Sequence, residues 1–482
     1  MTGALPSTGA AALARQIRRG ERSPTAVVES ALSRIHDRNE AVNAFVTVCD
    51  VQARTDAAAI EAAIDRGEDP GPLAGVPVGI KDLTNVAGVP TTSGSVPLAG
   101  TVPDRDDVLV RRLRDAGAVV VGKTNTPEFG RKTVTENRLV GATRNPWDGD
   151  RIVGGSSGGS AAALADGQIP LAQGTDAAGS IRVPSAACGT VGVMPDFGRV
   201  PLGNDRTDAF VNTHPYTYAG PMARRVEDVA LALDVMAGPA PADPFSLPAA
   251  TPSYTDVLEA GIDDWSIAYS QDLGICRVAE AIRDRTTDAV GAFEDAGATV
   301  ERATPAFGFD YDGLHDAIVV LLRERYLGLY ESLKADTGVD LLDPDLEVTP
   351  EVVSRIRKAQ DLDPGDVRRA ERVRTAAYDA LQSFLAEWDL LVVPTIGRPA
   401  FEIGNDAPTI DGEPVDPNHG WVLTWPFNLT GNPVAAVPAG TVDGLPVGLQ
   451  VVAPRLADHD VVRAAAAYER ERLWVDDYPY RS

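Results

Sequence analysis

The sequence predicts an α/β protein: a large mixed, twisted β-sheet covered by helices on both faces. Three observations lead there. Short apolar, β-branched runs recur along the chain, each too short for a helix. Longer runs with apolar residues at three- and four-residue spacing lie between them and read as helices. The two kinds mix without strict alternation, which favours a mixed sheet over a purely parallel one.

Residues 8–66 read as helices, and Ser23-Pro24 supplies an N-cap followed by proline at the first helical position. Residues 67–240 form a core of different texture. Its first part, 69–101, is rich in Gly, Pro and Thr, with a strand at 76–80. A helix at 108–116 and a strand at 118–122 follow. Residues 141–204 are dominated by Gly, Ser, Ala and Thr. Small residues at that density mean either a flexible tether or backbones that approach closely to build a site. The helix-forming run 161–165 and the apolar, regular stretch 181–193 favour the site. A helix at 225–237 and a Pro-Ala-rich surface connection at 238–253 lead on to a strand at 266–269, a helix at 278–296 and a strand at 299–301. Residues 310–385 are largely helical and form a cap or insertion. Residues 388–475 return to the core, with strands at 390–394, 433–438 and 447–452, a loop at 400–420 and a last helix at 460–470. No internal repeat is present, and a single domain over residues 1–482 is expected.

The hydrophobic fraction is 44% and the charged fraction 23%, an ordinary globular balance. The net charge of −25 repels phosphate backbones and anionic lipid, so neither a nucleic acid nor a membrane is an expected partner. Cys49, Cys188 and Cys276 are widely spaced and offer no disulfide framework and no zinc spacing, so a reduced, cytoplasmic setting is expected. Residues 1–20 hold no signal-peptide core, and no run reaches the roughly 18 apolar residues of a membrane span. Lysine is scarce: only Lys81, Lys123, Lys132, Lys334 and Lys358 occur. A lysine inside a motif is therefore informative.

Three tracts carry chemistry. The first is Gly154-Gly155-Ser156-Ser157-Gly158-Gly159-Ser160. Glycines around a serine allow a sharp turn that exposes the hydroxyl. The tract also satisfies G-x-S-x-G, which would suggest a Ser–His hydrolase with Ser157 as nucleophile and His459 as base. No downstream histidine sits in a motif, however. The second tract is Gly174-Thr175-Asp176-Ala177-Ala178-Gly179-Ser180-Ile181-Arg182. Small residues ending in serine can aim several N–H groups at one point, as an oxyanion hole requires, or can simply form a tight turn. The third is Gly79-Ile80-Lys81-Asp82 at the end of an apolar strand. A lysine buried there loses hydration of its charged form and can act as a neutral base; a surface lysine at a strand end is the plainer reading.

Together the tracts resemble the amidase signature family. Its motifs are matched by Gly75-Val76-Pro77 through Lys81-Asp82, by Gly154 to Gly159 and by Gly174 to Pro184. Lesser tracts agree: Gly122-Lys123-Thr124-Asn125, Asn145-Pro146-Trp147, Cys188-Gly189, Asn428 with Gly431 and Pro433, and Leu445 to Gln450. The resemblance implies the amidase signature fold and hydrolysis of a carboxylic-acid amide through a serine acyl-enzyme. Ser180 resembles the nucleophile, Ser156 the bridging serine after a cis peptide bond at Gly155, and Lys81 the base. The N–H groups of Ala177, Ala178, Gly179 and Ser180 match the oxyanion hole. Ser157 and Thr175 resemble supporting hydrogen-bond residues. Asp176 and Arg182 form either a supporting pair or a structural ion pair. No metal or organic cofactor enters this chemistry.

Two positions depart from the usual pattern: Ala178 replaces a glycine, and Met194-Pro195-Asp196 replaces Lys-Pro-Thr. Gly141 to Trp147 and Asp176 to Ser180 are similar to tracts of amidases acting on nylon oligomers, which implies a hydrophobic, linear-alkyl or aryl amide substrate, with a urethane as an alternative. The glutaminase component of a tRNA-dependent amidotransferase is the rival within the family, although its serine-rich stretch after the third motif is absent. By the same resemblance Phe129 and Gly130 line the acyl pocket. His315, on the cap, reaches the substrate or is helical surface. Family members are often dimers, which leaves a homodimer open.

Overall fold

The computed structural model describes residues 8–203, 209–212, 214–475 and 477–480. Eleven strands form one sheet: β1 (Phe45–Val48), β2 (Pro77–Lys81), β3 (Val119–Thr124), β4 (Leu171–Asp176), β5 (Val191–Met194), β6 (Tyr218–Ala223), β7 (Ser266–Tyr269), β8 (Thr299–Arg302), β9 (Leu390–Pro394), β10 (Val434–Val442) and β11 (Leu445–Val452). Their spatial order is β1-β3-β2-β4-β6-β5-β10-β11-β9-β7-β8. Parallel pairs (β2 with β3 and β4, β7 with β8 and β9) flank an antiparallel centre. The expected mixed sheet is therefore present. Every residue of β2, β3, β5, β6, β9 and β11 is buried. That burial explains their continuous apolar runs, since a sheet covered on both faces needs no polar alternation.

The helices are α1 (Ala10–Arg18), α2 (Pro24–Val42), α3 (Asp50–Asp65), α4 (Val108–Asp115), α5 (Gly158–Ala165), α6 (Arg182–Cys188), α7 (Ala209–Asn212), α8 (Val226–Met236), α9 (Glu280–Asp295), α10 (Tyr311–Thr337), α11 (Pro350–Gln360), α12 (Pro364–Leu385), α13 (Trp425–Thr430) and α14 (Asp458–Glu471). Ser23 caps α2 as expected, its Oγ accepting from the Ala26 N–H. Helix α5 packs on β2 and β4, which lead into signature tracts, α6 packs on β5, β10 and β11, and α8, α9 and α14 cover β6 and β10. The cap expected at 310–385 is α10, α11 and α12, with both shorter helices packed on α10.

Strand β1, inside the stretch read as helices, escapes the sequence reading, as do three strands of the core: β4, β5 and β6. Their sequences, LAQGTD, VGVM and YAGPMA, hold few β-branched residues. Close approach rather than propensity selects them. A Cβ on Gly220 would lie 2.0 Å from the Val193 carbonyl oxygen of the adjacent strand, so only glycine fits. The stretch 181–193, read as one regular run, is a helix, a left-handed turn at Gly189 and a strand. Among the described residues, no helix is long and apolar enough to cross a membrane.

Candidate active site

Strands β2 and β4 run parallel and adjacent, with Ile80 beside Gln173. Their C-terminal ends emerge together, the place where open α/β sheets build sites. Lys81 closes β2 and the 177–181 loop follows β4. The tract before α5 meets them there: the Ser157 N–H donates to the Ser180 carbonyl at 3.0 Å.

Lys81 is fully buried. Its Nζ lies 2.7 Å from Ser156 Oγ, 2.9 Å from Ser157 Oγ and 3.0 Å from Thr175 Oγ1. Burial pushes its pKa well below the ordinary lysine value; the charge of Asp176 opposes this and that of Arg325 adds to it. The plain reading of Lys81 as surface is thereby overturned. The Gly155–Ser156 peptide bond is cis, as the resemblance implies. Ser157 Oγ also donates to the Thr175 carbonyl at 3.3 Å, which places both expected supporting residues on the amine. Ser180 sits between β4 and α6, 8% exposed. No hydrogen bond joins its Oγ to Ser156 Oγ among the described residues.

Asp176 shapes the serine loop. Its carboxylate accepts the N–H groups of Gly179 at 2.7 Å and Ile181 at 3.1 Å. It also accepts Arg182 Nε and Nη2, both at 3.0 Å, and Asn428 Nδ2 at 2.8 Å. Burial raises the Asp176 pKa, but the charge of Arg182 and these hydrogen bonds outweigh it, and the carboxyl titrates below its ordinary range. Arg182 is fully buried and donates onward to the Thr424 carbonyl at 2.8 Å, Gln450 Oε1 at 2.7 Å and Asn428 Oδ1 at 2.6 Å. The pair is thus at once an ion pair and the scaffold of the loop. One expectation needs correcting. The Gly179 N–H is engaged by Asp176 and cannot also face a substrate oxygen. The N–H groups of Ala177, Ala178 and Ser180 meet no acceptor among the described residues.

Gly130 lies directly on the site: a Cβ there would stand 3.2 Å from Ser156 Oγ. Phe129, at φ 53°, is buried in a separate apolar cluster with Leu98, Tyr326, Tyr330, Leu341, Val348, Val352 and Ile356, where the core loop meets the cap. His315 bonds neither to Lys81 nor to the serines; its Nε2 is 2.9 Å from His419 Nδ1. His459 Nε2 contacts the Pro252 carbonyl oxygen at 2.7 Å, and its ring stacks on Tyr254. Ser157 instead faces Lys81, so the Ser–His arrangement is not formed.

Sequence reading missed Thr424. Its Oγ1 donates to the Ala178 carbonyl at 2.8 Å, and a Cβ on Gly179 (φ +111°) would fall 1.9 Å from that hydroxyl oxygen. Nothing in the local sequence marks it. Asn428 and Gln450 carry a signal, since both lie in the lesser tracts, but their partner Arg182 is 246 and 268 residues away and not legible locally.

A family model described as Amidase matches residues 26–462, and that family hydrolyses amides. The chain belongs to the amidase signature family. It is 38% identical to an acylamidase of Rhodococcus erythropolis, over 95% of this chain and 94% of that one. It is 34% identical to a glutamyl-tRNA(Gln) amidotransferase component of Geobacillus thermodenitrificans strain NG80-2, over 94% of this chain and 95% of that one. Among solved structures it is similar to a bacterial aryl acylamidase of the amidase signature family, with a TM-score of 0.93, 33% identity and 99% coverage of both chains. A 6-aminohexanoate cyclic dimer hydrolase, solved with its substrate, gives a TM-score of 0.86 at 31% identity, covering 98% of this chain and 99% of that one.

Proposed function

We propose that the protein hydrolyses acyl or aryl amides through an acyl-enzyme on Ser180, with Ser156 and Lys81 moving the proton. The observation that carries this reading is the fully buried Lys81 amine 2.7 Å from Ser156 Oγ, in a setting that disfavours its charged form. Neutral Lys81 accepts the Ser156 proton while Ser156 accepts that of Ser180, and Ser180 Oγ attacks the amide carbon. The gap between the two serines closes as substrate enters, as catalytic hydrogen bonds commonly do. Free N–H groups at Ala177, Ala178 and Ser180 stabilise the oxyanion. The relay then runs backwards and protonates the departing amine, without which the C–N bond does not break. Water hydrolyses the acyl-enzyme.

An apolar acyl group fits best. A side chain at Gly130 would crowd Ser156 Oγ, and the neighbouring Phe129 ties this loop to the apolar cluster under the cap. A nylon-type oligoamide and a carbamate fall within the same chemistry. The net charge disfavours a nucleic acid or an anionic membrane as partner, which leaves a small-molecule or oligomeric amide, and three free cysteines fit a reduced, cytoplasmic setting. The test is a panel of anilides, N-alkyl amides, aminohexanoate oligomers and carbamates against wild type and Ser180→Ala. Loss of at least about 10³ in kcat for the variant is expected, with an acyl adduct on wild type by intact-protein mass spectrometry. Near-wild-type turnover by Ser180→Ala would sink the proposal. The amidotransferase reading draws on the second relative above; turnover of simple amides by the lone chain would exclude it.

A further inference from the structure

His315 projects from the cap helix α10, and His419 lies in the loop before α13. Their facing nitrogens, Nε2 and Nδ1, are 2.9 Å apart. Asp416 adds a carboxylate oxygen, and the three ligand atoms all lie within 4.8 Å of one another. Two imidazole nitrogens bound to one ion at about 2.0–2.1 Å, with an angle between tetrahedral and octahedral, stand about 2.9–3.4 Å apart. The observed spacing lies at the short, right-angle end of that range, so a tetrahedral ion would part the two rings by about 0.4 Å.

The ligands are already held. The His315 ring stacks on Tyr311 at 5.2 Å and meets Trp425 edge-on at 5.7 Å. Asp416 Oδ1 accepts the N–H groups of Asn418 at 2.9 Å and His419 at 2.7 Å, which fixes the carboxylate and leaves Oδ2 for a ligand. Asp312 and Asp316, on the same helix as His315, add negative charge around it. All three residues line a cavity of about 320 Å³ shared with Arg323, Arg355 and Lys358.

We propose that His315, Asp416 and His419 form a three-ligand site for a late first-row divalent cation, zinc foremost. Two imidazoles and a carboxylate suit that class. The ion would tie the cap to the loop that runs on to Thr424 and hence to the serine loop. It stands outside the hydrolytic chemistry: none of its ligands bonds to Lys81, Ser156 or Ser180 among the described residues.

The test uses the full chain after chelator treatment and dialysis. Calorimetric titration with Zn²⁺ should give one ion per chain with micromolar or tighter affinity. Co²⁺ should give the absorption bands of a four- or five-coordinate site. His315→Ala and His419→Ala should each weaken binding at least tenfold, whereas His36→Ala and His459→Ala should not change it. Either histidine variant decides the matter, so loss of folding in one leaves the other as the test. Absence of one-to-one binding in wild type, or unchanged affinity in His315→Ala or His419→Ala, overturns the proposal and leaves a plain histidine–histidine hydrogen bond.

Discussion

Replacing Asp176 by Asn tests the scaffold and the base together. The carboxylate accepts N–H groups from Gly179, Ile181, Arg182 and Asn428, and both Asp176 and Arg182 are fully buried. An amide of the same shape keeps one acceptor oxygen but turns an NH₂ toward donors, and it removes the charge that pairs with Arg182. Breaking one side of a buried pair costs about 3–5 kcal/mol. The lower end applies, because Arg182 keeps Thr424, Gln450 and Asn428 as acceptors. With an unfolding entropy of about 2.1 cal/mol/K per residue, 482 residues give about 1 kcal/mol per degree, so the melting midpoint should fall by about 3 °C. The kinetic readout is sharper. Asp176 favours the charged form of Lys81. Removing that charge lowers the lysine pKa further, so the acid limb of the kcat/KM profile should move to lower pH even as kcat falls. Scanning calorimetry and a pH–rate series on one anilide measure both. An unchanged midpoint, or an acid limb that stays or moves up, would refute the reasoning.

Lys81→Ala should lower kcat by at least about 10³, and His459→Ala should leave it unaltered; anilide hydrolysis at saturating substrate reads both. In wild type the base must be neutral, so activity should appear as pH rises through a Lys81 value well below 10.5. Asp196 offers a stability test. Burial first, then the charge of Asp458, raises its pKa to about 8. The native state therefore holds a proton that the unfolded chain releases, and this group's contribution to stability falls as pH rises from about 4 to 8. Asp196→Asn should remove that loss, so its melting midpoint should drop less than that of wild type between pH 6 and 9.

Patterns that periodicity controls were legible in the sequence: the cap helices, the buried strands β2, β3 and β9, and the capped start of α2. The site was legible in a different way. Lys81, Ser156 and Ser180 each had a bland local reading, and only their joint match to three tracts singled them out. What stayed hidden depends on distant contacts. Strands β4 to β6 carry weak β-propensity and are set by their neighbours' approach, as at Gly220 against Val193. Thr424 acts on the serine loop across 246 residues of sequence. The occupied N–H of Gly179 could not be foreseen either, because it depends on which rotamer Asp176 adopts.

The ties from Arg182 to Thr424, Asn428 and Gln450 span 242, 246 and 268 residues. A chain still emerging from the ribosome has its lysine and both serines long before it has these anchors. Its serine loop then lacks the backing that orients the N–H groups. Competence for hydrolysis thus arrives only with the last strand of the sheet, β11. A shortened product of interrupted synthesis, though it contains every chemical group of the proposed reaction, would be born inert.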